Sequence, residues 1–171
     1  MKKLNLGCGY DIRKGWINLD IKEGRGVDIV HDLNTFPYPF KDNYFDEINA
    51  DSIFEHLQNP KLFIDELWRI SKNNGFIHIS TTHFSSWSIW GDITHVRPFN
   101  STSLDHVRND RKYFNLLNDS KVCFVVKPYL KVNFILNPII NLKNATRCIF
   151  ERTLCKIFSV KELIFDLEVK K

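Results

Sequence analysis

A short strand candidate, Lys3-Leu4-Asn5-Leu6, runs without any linker into Gly7-Cys8-Gly9. Glycine has no Cβ and tolerates positive φ, so two glycines at a strand end let the backbone turn sharply and approach a ligand closely. Two further strand candidates follow at once, Trp16-Ile17-Asn18-Leu19-Asp20-Ile21 and Val27-Asp28-Ile29-Val30-His31-Asp32, and both end at an acid. Parallel strands would bring Asp20 and Asp32 to the same sheet edge as the glycine turn, the edge where open α/β sheets bind their ligands. A ribose diol and an adenine amino group each ask for a carboxylate acceptor, which Asp20 and Asp32 can supply.

Downstream the chain alternates between strand and helix signals. Phe36-Pro37-Tyr38-Pro39-Phe40 is an extended connection, because two prolines remove donors and restrict the residues before them. Tyr44–Ala50 reads as a fourth strand and Phe76–Ser80 as a fifth. Between them Leu62, Phe63, Leu67 and Ile70 recur at helical spacing, with Pro60 suited to a first turn and Asn73-Asn74-Gly75 to a stop after Lys72. Residues 83–103 have no period and read as a loop, residues 138–158 as helical, and Val122–Val126 and Leu163–Val169 as the last strands. Leu163–Val169 alternates apolar and acidic residues, as an antiparallel strand with one solvated face does. The expected fold is one α/β domain over 1–171, a parallel sheet covered by helices. Residues 1–82 would bind the ligand, and 83–171 would add a substrate loop, helices and the final strands.

Composition restricts the functional classes. Hydrophobic residues at 43% and charged residues at 26% are the balance of a globular domain in water. No apolar run is long enough to cross a bilayer and no secretory signal follows Met1-Lys2-Lys3, so the expectation is a cytoplasmic protein. Cys8, Cys123, Cys148 and Cys155 have no CxxC spacing and read as free thiols, with Cys148 and Cys155 on one helical face. Residues 1–103 carry 11 Lys+Arg against 13 Asp+Glu, a net −2, whereas residues 104–171 carry 13 against 7, a net +6. The basic residues are scattered among apolar ones, which favours an ordinary solvated face over a nucleic-acid or membrane surface.

In their order and spacing, Leu6-Gly7-Cys8-Gly9, Asp20, Phe36–Phe40, Phe45-Asp46-Glu47-Ile48, Phe54-Glu55-His56-Leu57, Leu67–Gly75 and Asp92-Ile93-Thr94-His95 resemble small class I methyltransferase-domain proteins. The resemblance is strong over residues 3–100 and weaker through Asn137–Asn141, Phe150-Glu151-Arg152 and the last strand. It implies a Rossmann-like sheet of seven strands, the last antiparallel, with S-adenosylmethionine across the first strand ends. It also implies that Leu6, Gly7, Cys8 and Gly9 border the methionine moiety, that Asp20 and Ile21 hold the ribose, and that Asp32 and Leu33 lie near adenine. Asp51 and Ser52 would line the floor near the sulfonium. The 11 positions from Gly9 to Asp20 leave room only for a shortened first helix, which opens the question of how the methionine carboxylate is held. The same spacing argues against a nicotinamide site, whose fingerprint needs a third glycine where Ile12 stands and a later acid.

Methyl transfer from a sulfonium needs positioning and, for a hydroxyl or ammonium acceptor, removal of a proton. His95 is the first candidate base, with Asp92 to orient it, and His83 shares the same loop; a structural Asp92–His95 contact is the competing account. Arg97 reads as a partner for an acidic substrate or for a surface carboxylate. Glu55 and His56 lie just beyond the fourth strand, where helical spacing turns His56 towards the cofactor or else gives it a packing or capping role, and the histidine spacings match no zinc pattern, so no metal is expected. The functional expectation is a methyltransferase acting on an O or N nucleophile of a small molecule or glycan. The alternatives are a cofactor-binding but inactive partner subunit and an RNA- or DNA-modifying enzyme.

Overall fold

In the computed structural model the described residues are 1–105, 121–126, 138–139, 142, 144–155 and 159–171. They form one seven-stranded sheet from β1 (Lys3–Leu6), β2 (Ile17–Asp20), β3 (Ile29–Val30), β4 (Phe45–Asp51), β5 (Ser71–Thr82), β6 (Lys121–Val126) and β7 (Val160–Glu168). The strand order is β3-β2-β1-β4-β5-β7-β6. The first five strands pair in parallel, while β7 runs antiparallel to both β5 and β6. The chain moves outward from β1 to β3 and then returns to β4 beside β1, so the switch point lies between β1 and β4. Leu6 at the end of β1 pairs with Ala50, one residue before Asp51.

Among the described residues the helices beside the sheet are α1 (Pro60–Ile70), α2 (Trp87–Gly91) and α3 (Asn144–Thr153). The side chain of Asn59 accepts from the Leu62 amide, and Pro60 occupies the first turn, where its missing N–H costs nothing. Phe63, Ile64, Leu67 and Ile70 form the buried stripe of α1, and removing each such side chain from water contributes about 2 kcal/mol. The helix stops at Ile70, before the expected Lys72, because Ser71 is already extended and opens β5. Glu66 and Arg69 project from α1 onto the Phe36–Phe40 connection. Glu66 accepts from the Tyr38 amide at 2.8 Å, and Arg69 donates to the carbonyls of Phe40 and Tyr38 at 2.8 and 3.1 Å. These bonds satisfy backbone groups that proline-bearing chain cannot pair with itself.

Apart from irregularities at Phe45/Glu47 and Val125/Val126, the strands alternate between two faces. Leu4, Leu6, Leu19, Ile48, Ala50, Ile77, Ile79, Phe165 and Leu167 share the apolar face, packed in one cluster with Phe63, Ile64 and Leu67 of α1 and Phe150 of α3. On the other face one row reads Asn18, Asn5, Asn49, His78 and Asp166 across five paired strands. Sequence patterning suggests a sheet covered by helices, and α1 and α3 pack into the apolar cluster through Phe63, Ile64, Leu67 and Phe150. A shortened first helix is not formed, since residues 10–16 are turns and irregular chain.

That irregular segment is laid on the asparagines. Asn5 Nδ2 donates to the Asp11 carbonyl at 2.7 Å, the Arg13 amide donates to Asn18 Oδ1 at 2.9 Å, and Asn18 Nδ2 reaches the Arg13 carbonyl at 3.2 Å. Asn5, Asn18 and Asn49 are consequently buried although polar. Backbone that forms no helix must find partners elsewhere, and these side-chain amides provide them.

Part of the expected helix over 138–158, part of Asn137–Asn141, most of the basic residues after 104 and the side chain of Cys123 lie outside the described residues. Cys8 and Cys155 are buried, and Cys148 is partly so. Cys155 sits in the turn after α3 rather than on it. Among the described residues no helix is long and apolar enough to cross a membrane.

Candidate functional site

Gly7 and Gly9 adopt φ of 60° and 47°. A Cβ on Gly7 would clash with the Ile53 side chain, whereas one on Gly9 would meet nothing within 4 Å. The first glycine lets the turn pack against the chain after β4, and the second presents bare backbone to open space. The Cys8 amide donates to the Leu19 carbonyl at 3.0 Å, which extends the β1–β2 pairing into the turn. Burial, together with Asp20 nearby, pushes the Cys8 thiol above its ordinary range.

Asp20 closes this turn. Its Oδ2 accepts from the Gly9 amide at 2.8 Å and its Oδ1 from the Lys22 amide at 3.0 Å, so the carboxylate is aimed at the glycines with lone pairs to spare. Ile21 beside it is 59% exposed, an apolar surface at the mouth of the site. Asp32, just past β3, turns its Oδ1 to the Asn34 amide at 2.9 Å. Leu33 differs from expectation in one respect, since its side chain is buried in the core and its carbonyl accepts from the Tyr38 hydroxyl at 2.8 Å.

Asp51 ends β4 across the switch point and gathers four groups. Arg13 Nη2 lies at 2.9 Å, Ser80 Oγ at 2.8 Å, Asn49 Nδ2 at 3.2 Å and His78 Nε2 at 3.5 Å. His78, with Ser80 and Asn49, holds the Asp51 carboxyl well below the usual carboxylate range. The His78 ring is itself raised above its ordinary value, by Asp51 and then by Asp166, whose Oδ1 is 2.7 Å from Nδ1. Ser52 follows at φ 51° with its amide on the Ser80 carbonyl. Arg13 and His78 escaped the sequence reading; period-2 alternation in the first five strands was the signal that could have exposed the polar row.

Farther along the same edge, a 3-10 turn at Phe54–His56 brings Glu55 and His56 against the loop after β5. Glu55 is buried and accepts from Thr81 Oγ1, Thr82 Oγ1 and the Thr82 amide at 2.8, 2.7 and 3.2 Å. The His56 and His95 rings meet edge to face with centroids 4.7 Å apart. Asp92 does not orient His95 as expected: the separation is 3.8 Å, too long for a hydrogen bond. Its Oδ1 instead accepts from the Thr94 amide and hydroxyl at 2.9 and 2.6 Å. Thr94, through its hydroxyl and then its backbone amide, holds the Asp92 carboxyl below its ordinary range.

His83 directly follows β5 but is closed off from solvent. It is fully buried, Nε2 lies 3.0 Å from Glu151 Oε1 on α3, and Nδ1 accepts from the Ser85 amide at 3.1 Å. Glu151 also takes the Ser101 amide and hydroxyl, so this group ties α3 to the loop. Arg97 donates to the Gln58 carbonyl at 3.0 Å rather than to a carboxylate. A cavity of about 360 Å³ lies on this flank, between Phe54, Gln58, Ile64, Arg97, Phe99 and Leu104.

Residues 4–79 match the family model described as a methyltransferase domain. This match covers a little under half of the chain and is what the chain is similar to. Its seven-stranded sheet, with β7 antiparallel, is similar to a solved S-adenosylmethionine-dependent methyltransferase of Archaeoglobus fulgidus, with a TM-score of 0.68 at 17% identity over 98% of this chain and 85% of that one. It is also similar to a methyltransferase of Thermotoga maritima described as a possible histamine N-methyltransferase, with a TM-score of 0.63 at 15% identity over 99% and 82% of the two chains. At these identities the likeness concerns the fold. An uncharacterised protein of Methanocaldococcus jannaschii is 35% identical over 82 residues, 46% of this chain and 37% of that protein, so the match spans well under half of that relative.

Proposed function

We propose that this domain transfers the methyl group of S-adenosylmethionine to an O or N nucleophile of a small molecule or glycan. The observation that carries the reading is the 2.8 Å bond from the Gly9 amide to Asp20, which sets a carboxylate and bare glycine backbone side by side at the ends of β1 and β2, next to the switch point. Asp20 would take the ribose hydroxyls on its remaining lone pairs, Ile21 would cover the adenosine, and Asp32 would accept from the adenine amino group. Leu33 would act through its backbone alone, because its side chain is in the core.

Arg13 answers the question left by the missing first helix. With no helix N-terminus to offer an anion, the guanidinium on the replacing segment holds the methionine carboxylate, and Asp51, kept ionised by its neighbours, holds the methionine ammonium. The Arg13–Asp51 pair thus matches the two charges of an amino-acid zwitterion. Open space over Gly9 leaves the approach unobstructed.

S-adenosylmethionine brings the reactive methyl group and a leaving group that departs neutral. The domain's own residues then bind, orient and keep water from the reacting end. Calorimetry with S-adenosylmethionine and NAD side by side tests the reading. Binding of the sulfonium alone, weakened in Asp20→Asn while the thermal midpoint holds, is the expected result. A protein that ignores S-adenosylmethionine at millimolar concentration overturns it.

A further inference from the structure

We propose that Glu55, His56 and His95 form a binding site for a borderline divalent cation of the Zn²⁺ type, at the acceptor end of the same edge. One ligand atom from each of the three lies within 4.8 Å of the other two. Tetrahedral zinc with bonds of about 2.1 Å sets its ligands roughly 3.4 Å apart, so closing on the ion asks for small side-chain rotations rather than refolding.

Three features of the cluster favour an ion. Glu55 is 1% exposed, yet its carboxylate accepts only from neutral groups, Thr81 and Thr82, and no Lys or Arg of the described residues pairs with it. A buried carboxylate is strongly disfavoured unless it is paired or coordinates a metal. Next, both imidazoles carry the outer partners that metal-binding histidines use to fix their tautomer. The Thr94 hydroxyl spends its proton on Asp92, so it accepts from His56 Nδ1 at 3.0 Å, and His95 Nδ1 faces the Ile89 carbonyl at 3.4 Å. Each ring is thereby left with its lone pair on Nε2. Finally, Asp92 Oδ2 stands 3.8 Å from His95 Nε2, close enough to serve as a further oxygen ligand or to orient a bound water.

Nitrogen and carboxylate donors together suit Zn²⁺, Fe²⁺ or Co²⁺ better than Mg²⁺, which favours an all-oxygen shell. Resting on the methyl-transfer reading, the site also names the acceptor class: a hydroxyl, which can bind the cation through oxygen, in preference to an ammonium, which cannot. The bound hydroxyl loses its proton to solvent water, its oxygen forms the new C–O bond, and the methyl–sulfur bond breaks with its electron pair left on a neutral thioether. His56 and His95 then serve as ligands, so no imidazole need act as base.

The test is metal binding by itself, which separates this site from the cofactor reading. Protein stripped with chelator is titrated with Zn²⁺ by calorimetry and with Co²⁺ by visible absorption, and His56→Gln and His95→Gln are treated alike. One ion per chain, with Co²⁺ d–d bands and affinity at least tenfold weaker in each variant, is expected. Wild-type protein that binds neither ion stoichiometrically, or variants that bind as well as wild type, overturns the proposal. Either result stands whether or not S-adenosylmethionine binds.

Discussion

Arg13 Nη2 lies 2.9 Å from Asp51 Oδ2, joining the segment that replaces the first helix to the end of β4. The pair is only partly exposed and Asp51 is held ionised by His78, Ser80 and Asn49, so the guanidinium does not depend on Asp51 for its place: Arg13 Nε also reaches Asp11 at 2.8 Å. A zwitterion can therefore enter between the two charges without unfolding the segment.

Arg13→Gln should weaken S-adenosylmethionine binding by roughly 10- to 100-fold, since a hydrogen bond between charged groups is worth about 1.5–3 kcal/mol. Affinity for 5′-methylthioadenosine, which lacks the amino-acid end, should stay within about twofold. Parallel calorimetric titrations check both, and equal losses for the two ligands would refute the role given to Arg13.

Gly7→Ala should destabilise the fold by about 2 kcal/mol or more, through left-handed strain and the clash of the new Cβ with Ile53. Gly9→Ala carries the strain without the clash and should cost about 1 kcal/mol. Adding Ile53→Ala should recover part of the Gly7→Ala loss, and urea denaturation of the single and double variants measures the coupling.

The Asp51–His78–Asp166 chain predicts a pH profile for stability. His78 is raised above 6.5 in the folded chain, so its contribution is complete below that pH and fades as pH rises through the folded value. Asp51 is lowered beneath 3.8, so its contribution is present above that pH and fades in acid. Both contributions coexist between the two ordinary values. Denaturation midpoints at about pH 6 and about pH 8 should show wild type losing its advantage over His78→Gln at the higher pH.

His83→Ala should cost about 2–3 kcal/mol, because it empties the space of a fully buried ring and leaves Glu151 with Ser101 as its remaining partner. Affinity for S-adenosylmethionine in the folded fraction should be unchanged, as the ring faces α3. Chemical denaturation and a binding titration on one preparation distinguish this from a role at the reacting edge.

Local signals carried much of this architecture. The Leu6–Gly9 turn, the acid at Asp20, the Asn59–Pro60 helix start and the Phe76–Ser80 strand depend on neighbours close along the chain, so the order of residues alone makes them legible. The His56–His95 contact joins a 3-10 turn after β4 to a loop after β5, two segments whose hydrogen-bonded residues His56 and Thr94 stand 38 positions apart, and neither segment has a period to betray the other. Nor could spacing show that His83 points into α3, because burial of a side chain is decided by what packs over it.

The sequence by itself determined that strands run at these places and that glycines follow the first and acids lie at or just past the next two, since strand alternation and backbone freedom are local properties. Only the tertiary structure decided that residues 10–16 lie as irregular chain on Asn5 and Asn18, that Arg13 meets Asp51, and that Glu55 is buried beside two imidazoles. Those relationships follow from strand order and from the need to pair every buried polar group, which no single segment can satisfy alone.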